Sequence, residues 1–365
     1  MLDCAVPKLA MPKEEMMDEV VFLEELISIP SPSGKEGAVA AYLLEQMAAL
    51  GYQVQLDAVG NVIGTLGAAD AGRTVMLLGH MDTVPGVIPV RREGDKLYGR
   101  GAVDAKGPLA AFVLAAARAA ISRSDTRLMV VGAVGEEAQS QGAHHLVNTV
   151  PPPDFVLIGE PSGWQGITLG YKGTLIVDYR LTRPRRHSAS EQPPPAEAAV
   201  AFWNRLTAHA AALNQGQSRR FDTLDPTLRA IHTFGDGLEE GVEMSIGLRL
   251  PPGADVAGLQ RQMQAWHDGA RLAFPYSEPP FQTKKNTPLV RAFLRAIRAA
   301  GGQPRFKLKT GTSDMNVVGP AWGCPIVAYG PGDSDLDHTP DEYIEIEELR
   351  RGVDVLTRAL EELVG

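Results

Sequence analysis

The chain has 365 residues, 44% of them hydrophobic and 22% charged, with a net charge of -9 at neutral pH. That length can bury a large core and exceeds the usual single unit, so two or three domains are expected. The acidic balance argues against a nucleic-acid or anionic-membrane partner, and the only cysteines, Cys4 and Cys324, are too few and too far apart for a disulfide framework or a thiolate metal site.

The opening MLDCAVPKLAMPKEEMMDEVV has no basic flank before an apolar core, so no export signal is expected, and Met11 and Met16 are alternative starts. With two cysteines this points to a reducing, cytoplasmic setting. Glu14 to Ile29 and Ala38 to Leu50 have helical spacing, and Val54 to Leu66 reads as strand material around a Gly-Asn turn. Thr74 to Leu78, Leu128 to Val134 and Phe155 to Ile158 are short apolar runs, each followed at once by glycine and polar residues, as buried strands of one sheet are. A helix is expected from Gly107-Pro108, with proline in the first turn, where its missing N–H costs nothing. The apolar stretch from Pro108 to Ile121 is too short to cross a membrane.

From Gly170 to about Phe281 the texture changes. Along Thr174 to Thr182, Ile176, Asp178 and Arg180 alternate with Leu175, Val177, Tyr179 and Leu181. A proline-rich turn leads to a helix over Ala196 to Leu213, then strands over Thr227 to Thr233 and Val242 to Leu250, a helix from Ala254 to about Gly269 and a strand over Arg271 to Phe274. That order predicts a small α+β insert over 170–281. Helix and strand alternation then returns, with helices over Leu289 to Ala300 and Ile346 to Leu363 and a strand over Pro325 to Tyr329. These complete a first domain over 1–169 and 282–365. No repeat or low-complexity linker interrupts it.

The residues able to do chemistry share a position. His80 and Asp82 follow the strand ending at Leu78, Asp104 precedes the Pro108 helix, Glu136 and Glu137 follow Val134, Glu160 follows Ile158, and His338 lies in the loop after Tyr329. In an open α/β sheet the C-terminal strand ends line the ligand crevice, so these side chains can converge. Imidazoles and carboxylates without cysteine suit a divalent cation, zinc first, with manganese or cobalt as alternatives. The inventory exceeds one open site and favours two ions about 3.5–4 Å apart sharing a carboxylate, for which Asp104 is the choice. Neighbouring residues of extended chain point to different sides, so Glu136 and Glu137 can divide metal binding from the work of a base that deprotonates the attacking water.

Each feature has a plain alternative. A lone loop histidine is ordinarily solvated, and His144, His145, His209, His232 and His267 are read that way. An acidic pair after a strand is ordinarily a polar loop, and Asp82 could cap a turn. Gly99, Gly101 and Gly107 are no dinucleotide fingerprint, because GRGAVDAKG lacks the required glycine order and its acidic residue falls inside the loop.

The strings GHMDTVPG, GRGAVDAKGPLAA, VGEE, IGEPSG and GPGDSDLDHTPDEYIEIEEL, in this order and over nearly the whole chain, resemble the metallopeptidase superfamily of aminoacylase, glutamate carboxypeptidase, acetylornithine deacetylase and succinyl-diaminopimelate desuccinylase. The resemblance implies an α/β catalytic domain with a mixed sheet and an inserted α+β ferredoxin-like lid that also dimerises. It implies that His80, Asp104 and Glu160 bind one metal, that Asp104, Glu137 and His338 bind the other, and that Glu136 is the base. Asp82 would fix the tautomer of His80 through its far nitrogen.

In the same pattern His187, in RPRRHSAS, matches a lid histidine that stabilises the oxyanion in the partner subunit. The nearby Arg183, Arg185 and Arg186 depart from the small residues common there. Arg249, in SIGLRLPP, matches an arginine that grips a substrate carboxylate, and Gly311, Thr312 and Ser313 match a loop that cradles the substrate's end.

Within the superfamily, LGYKGTLIVDYRLTRPRRHSA is most similar to hydrolases of lysine and arginine biosynthesis that release lysine or ornithine from the terminal glutamate of an acidic amino-group carrier protein of the LysW type. Arg180, Arg183, Arg185 and Arg186 would suit such a carrier. The alternatives are an N-acyl amino acid deacylase acting on acetyl-lysine or acetylornithine, a dipeptidase or carboxypeptidase, and a metal-free scaffold. A scaffold would have lost a ligand or the base, and none is missing.

Overall fold

The computed structural model describes residues 17–120, 125–187 and 190–364. Cys4, Met11 and Met16 lie outside the described residues, as do Ser188 and Ala189 beside His187. The chain divides into two compact units, one of Met1–Leu169, Lys284–Lys307 and Trp322–Gly365 and one of Gly170–Thr283 and Leu308–Ala321.

The first unit opens with α1 (Glu19–Ile27), started by the Asp18 carboxylate, which accepts from the backbone N–H groups of Val20 and Val21. After α2 (Gly37–Ala49), β1 (Gln53–Leu56) and β2 (Val62–Leu66) form the hairpin expected around Gly60 and Asn61. Then follow β3 (Arg73–His80), the short β4 (Arg91–Glu93) and β5 (Lys96–Tyr98), α3 (Lys106–Ala120), β6 (Thr126–Ala133), α4 (Gln141–Thr149), β7 (Phe155–Gly159) and β8 (Gly166–Tyr171).

In the second unit β9 (Gly173–Pro184), α5 (Pro195–Leu213), β10 (Asp225–Gly235), β11 (Glu239–Leu250), α6 (Val256–Trp266) and β12 (Arg271–Glu278) come in order. Their sheet runs β10-β11-β9-β12 and every pair is antiparallel. This is the split βαβ, ferredoxin-like arrangement expected of the insert. Its core forms where Leu175, Val177, Tyr179 and Leu181 of β9 meet Phe202 and Leu206 of α5 and Leu259 and Met263 of α6. The opposite face of β9 carries Asp178 and Arg180 into solvent. β13 (Phe281–Gln282) then pairs with Tyr171 and Gly170.

The chain continues with α7 (Pro288–Ala299), β14 (Arg305–Lys309), α8 (Met315–Trp322), β15 (Ile326–Ala328), β16 (Tyr343–Glu345) and α9 (Ile346–Val364). In the first unit the sheet order is β1-β2-β6-β3-β7-β15-β8. The central strands β6, β3, β7 and β15 are parallel, and β1, β2 and β8 pair antiparallel, so the sheet is mixed. Gly79, Gly132 and Gly159 stand side by side at the ends of β3, β6 and β7. A Cβ on Gly79 would lie 3.2 Å from Leu109 of α3, and one on Gly159 3.1 Å from Phe112, so the missing side chains let α3 settle against the strand ends. β16, β5 and β4 form a separate small sheet. β4, β5 and β16 are three residues each and mostly polar, so unlike the apolar β15 they offer neither a period nor an apolar run to read beforehand.

Candidate metal centre

Every strand-end residue proposed from the sequence arrives at one place in the first unit. β3 ends on His80 and β7 just before Glu160, while β6 delivers Glu136 and Glu137 through a turn at Gly135. Gly135 has φ of 70°, a conformation glycine adopts without cost. His80, Glu136 and Glu160 form one group able to hold an ion, and Asp104, Glu137 and His338 form another.

Asp104 joins the two groups. Its Oδ1 lies 3.3 Å from His80 Nε2 and its Oδ2 lies 3.0 Å from His338 Nε2. One oxygen faces each imidazole, as a shared carboxylate requires. Around His80 Nε2 stand Glu160 Oε1 at 3.8 Å and Glu136 Oε2 at 4.0 Å. His338 Nε2 also lies 2.9 Å from Glu137 Oε1.

The residues fit a metal. His80 Nε2 is buried and makes no hydrogen bond, while its Nδ1 lies 3.0 Å from the main-chain carbonyl of Asp82. With the Nδ1 proton donated to that carbonyl, Nε2 is left as the atom able to bind an ion. Ligands about 2.0–2.1 Å from a tetrahedral zinc stand about 3.3 Å apart, so the spacing at His80 leaves room for one. The side chains of Asp82, Asp104, Glu136, Glu137 and Glu160 are at most 12% exposed. Five carboxylates crowd around two imidazoles, a concentration of negative charge that burial penalises and that cations would relieve.

The titrating groups report the same crowding. Burial pushes the Asp104 carboxyl up, but His338 and His80 together outweigh it and hold it well below the usual range. Burial pushes His80 down, and Asp104, Asp82 and Glu136 more than reverse this. Asp104, then Glu137, lifts His338 to about 10.

Asp82 touches more than the sequence foretold. Its Oδ1 is 3.5 Å from His80 Nδ1, farther than its own carbonyl. The carboxylate accepts from Glu136 N–H and Glu137 N–H, both at 3.1 Å, and from Ser33 Oγ at 2.7 Å. A buried aspartate thereby orients both glutamates through their backbone.

Several supports carried no recognisable signal. Asn61 Oδ1 accepts from Val134 N–H at 3.0 Å, bracing the end of β6. Glu348 accepts from Trp164 N–H at 2.6 Å and Gly332 N–H at 3.3 Å, tying the loop after Glu160 to the loop before His338. Glu342 binds the Asp104 loop. Both glutamates stand in GPGDSDLDHTPDEYIEIEEL, where nothing local marks Glu342, which is buried, or Glu348, which is half-buried, from the exposed acids beside them. Lys106, which donates to the carbonyls of Leu26 and Ile29 and which burial lowers to about 8, was equally unmarked.

The remaining candidates lie in the second unit. Arg249 Nη1 donates to Thr312 Oγ1 at 2.5 Å, so the expected substrate arginine and the Gly311–Ser313 loop do meet. Thr312 in turn donates to the carbonyl of Lys172 at 3.4 Å. His187 is exposed just beyond β9. Of the arginine run, Arg180 pairs with Glu243 and lies over the Phe234 ring, and Arg183 pairs with Asp268, while Arg185 and Arg186 are exposed.

Comparison with known proteins places this geometry. The model of peptidase family M20/M25/M40 matches residues 76–362. A LysW-lysine hydrolase of Deinococcus radiodurans is 45% identical over 350 residues, covering 94% of this chain and 96% of that protein. A LysW-lysine/LysW-ornithine hydrolase of Sulfurisphaera tokodaii is 28% identical over 346 residues, covering 93% and 94%. Among solved structures, an M20 family metallo-carboxypeptidase of Sulfolobus solfataricus superposes with a TM-score of 0.78 at 19% identity, covering 96% of this chain and all of that one.

Proposed function

The chain belongs to peptidase family M20/M25/M40, and from that premise we propose that it hydrolyses the amide that joins lysine, or ornithine, to the terminal glutamate of a LysW-type carrier protein. The observation that carries the reading is Asp104, whose two oxygens face the two histidines of a paired centre, in a chain 45% identical to a LysW-lysine hydrolase.

Two divalent ions, zinc first with cobalt or manganese as substitutes, would polarise the scissile carbonyl and lower the pKa of the attacking water. His80, Asp104 and Glu160 are assigned to one ion and Asp104, Glu137 and His338 to the other. Glu136 is the base: its carboxylate is the outermost of the three around His80 Nε2, and Asp82 holds its backbone. It takes the proton of the attacking water and passes it to the leaving amine nitrogen. Arg249 and the Gly311, Thr312, Ser313 loop receive the substrate's carboxylate end. In a homodimer built on the inserted lid, the partner subunit's His187 stabilises the oxyanion. A cytoplasmic setting accords with the cysteine usage; among the described residues no helix is long and apolar enough to cross a membrane.

A small N-acyl amino acid is the second reading, favoured by the ion pairs that Arg180 and Arg183 make within the chain with Glu243 and Asp268, which partly neutralise a carrier-binding run although Arg180 stays exposed. Hydrolysis by zinc- or cobalt-loaded protein of lysine-charged carrier and of N-acetyl-lysine, measured side by side, separates the two. Release of lysine from the carrier with little cleavage of the small amide is expected, and the reverse result would make the protein a small-molecule deacylase.

A further inference from the structure

We infer that Glu342 is a positioning residue that sets the Asp104 end of the metal centre and thereby the affinity of the ion assigned to Asp104, Glu137 and His338. The inference rests on that assignment.

Glu342 is fully buried. Its Oε1 accepts from Val103 N–H at 2.9 Å and Asp104 N–H at 3.1 Å, and its Oε2 accepts from Arg100 Nη1 at 2.8 Å. Its main-chain carbonyl accepts from Gly99 N–H at 3.3 Å. One residue therefore grips the Asp104 loop at both ends. A buried carboxylate is costly, and here it is offset by three donors that converge on it.

The grip closes a ring. Glu342 follows His338 by four positions in the chain, and His338 Nε2 reaches Asp104 Oδ2 at 3.0 Å. The path from Asp104 to His338, along the chain to Glu342 and back to the Asp104 N–H fixes the distance between two assigned ligands that are remote in sequence. His338 depends on such a tether: its φ is 62°, in the left-handed region, and its side chain is 51% exposed. The His80 end has its own support in Asp82. Weakening Glu342 should therefore be felt unequally by the two ions.

The test is calorimetric titration of the full-length, metal-stripped protein with zinc, alongside the visible spectrum on cobalt titration, for the native chain, Glu342→Gln and Glu342→Asp. Glutamine has one acceptor oxygen, so it cannot serve both the Val103 and Asp104 N–H groups and Arg100, and aspartate keeps the buried charge for Arg100 but withdraws it by one methylene. The native chain should bind two ions; failure to do so would remove the metal assignment itself, whatever the variants do. In each variant one ion should lose affinity about 10- to 100-fold, the usual effect of removing a partner that orients a ligand, while the other, which shares Asp104 but keeps His80 and its support from Asp82, should lose less. Activity should then return toward the native kcat as metal is raised. If Glu342→Gln does not fold, Glu342→Asp carries the same reading. Two ions bound as tightly as in the native chain would overturn the inference, and so would equal weakening of both ions with a kcat that metal does not restore.

Discussion

His80 and His338 face opposite oxygens of the same aspartate, yet they reach it from unlike backbones. His80 ends a parallel strand, its side chain is 2% exposed, and its Nδ1 is held by the Asp82 carbonyl. His338 stands on a loop with its side chain half exposed, in a left-handed conformation that ordinary residues adopt at a cost. The carboxylates around His80 Nε2 stand at 3.3 to 4.0 Å, ready to receive an ion between them. Those around His338 Nε2 stand at 2.9 and 3.0 Å. One end is built onto the sheet, whereas the other rests on a loop, and both histidines are raised by the carboxylates around them. The His338 end should therefore be the labile one.

The largest expected effect lies between the two ends. Glu136→Gln should lower kcat by about 10²- to 10⁴-fold, the usual weight of a general base, while calorimetry still counts two ions. Retained activity would remove Glu136 from that role.

Asp82→Asn probes the preorganised end. Asparagine keeps one acceptor oxygen of the two, so either Glu136 N–H or the pair of Glu137 N–H and Ser33 Oγ loses its partner. Metal affinity should fall about 10- to 100-fold, and stability by about 1–3 kcal/mol for each buried donor left unmet, read from denaturant unfolding. Unchanged metal affinity with lowered stability would show that the sheet alone orients His80.

Proton release probes the labile end. Asp104 and Glu137 raise His338 from 6.5 to about 10, so the metal-free protein carries it charged at neutral pH. Its contribution to stability is complete below pH 6.5 and is lost as pH rises through 10, because the folded state binds the extra proton across that window. An ion entering this end must displace the proton. Calorimetry in buffers of different ionisation enthalpy should find protons released as the centre fills, with His80 contributing beside His338 and the release falling in His338→Ala, and chelated protein should lose stability toward alkaline pH. No proton release at all would show that His338 does not ligate.

The smallest effect is expected from Ser33→Ala, which deletes a single hydrogen bond to Asp82. A cost of about 1 kcal/mol with two ions still bound is predicted. A large loss of metal would make Ser33 an essential part of the His80 end.

Much of this was legible beforehand because strand ends announce themselves. An apolar run that stops at glycine and a polar residue places His80, Glu136, Glu137 and Glu160 on the crevice side of a sheet before any contact is known. β9 was legible for a similar reason: its alternation matches a half-buried strand residue by residue. By contrast, β4, β5 and β16 are too short to show a period, and α4 follows Ser140, whose φ of 49° no local pattern signals. The role of Asp82 was only partly legible, since its ties to His80 could be foreseen but its hold on two glutamates 54 and 55 residues away could not.

The sequence by itself determined the donor types, their attachment to strand ends and the βαββαβ order of the insert, because composition and periodicity are local properties of the chain. Only the tertiary structure decided that the two oxygens of Asp104 divide between two histidines, that Arg180 and Arg183 pair with Glu243 and Asp268, and that Glu342 is buried and Glu348 half-buried among backbone donors. Those are distances between residues remote in sequence, set by how β3, β6, β7 and β15 register against one another, and an acidic residue looks the same in a sequence whether it ends in water or under a loop.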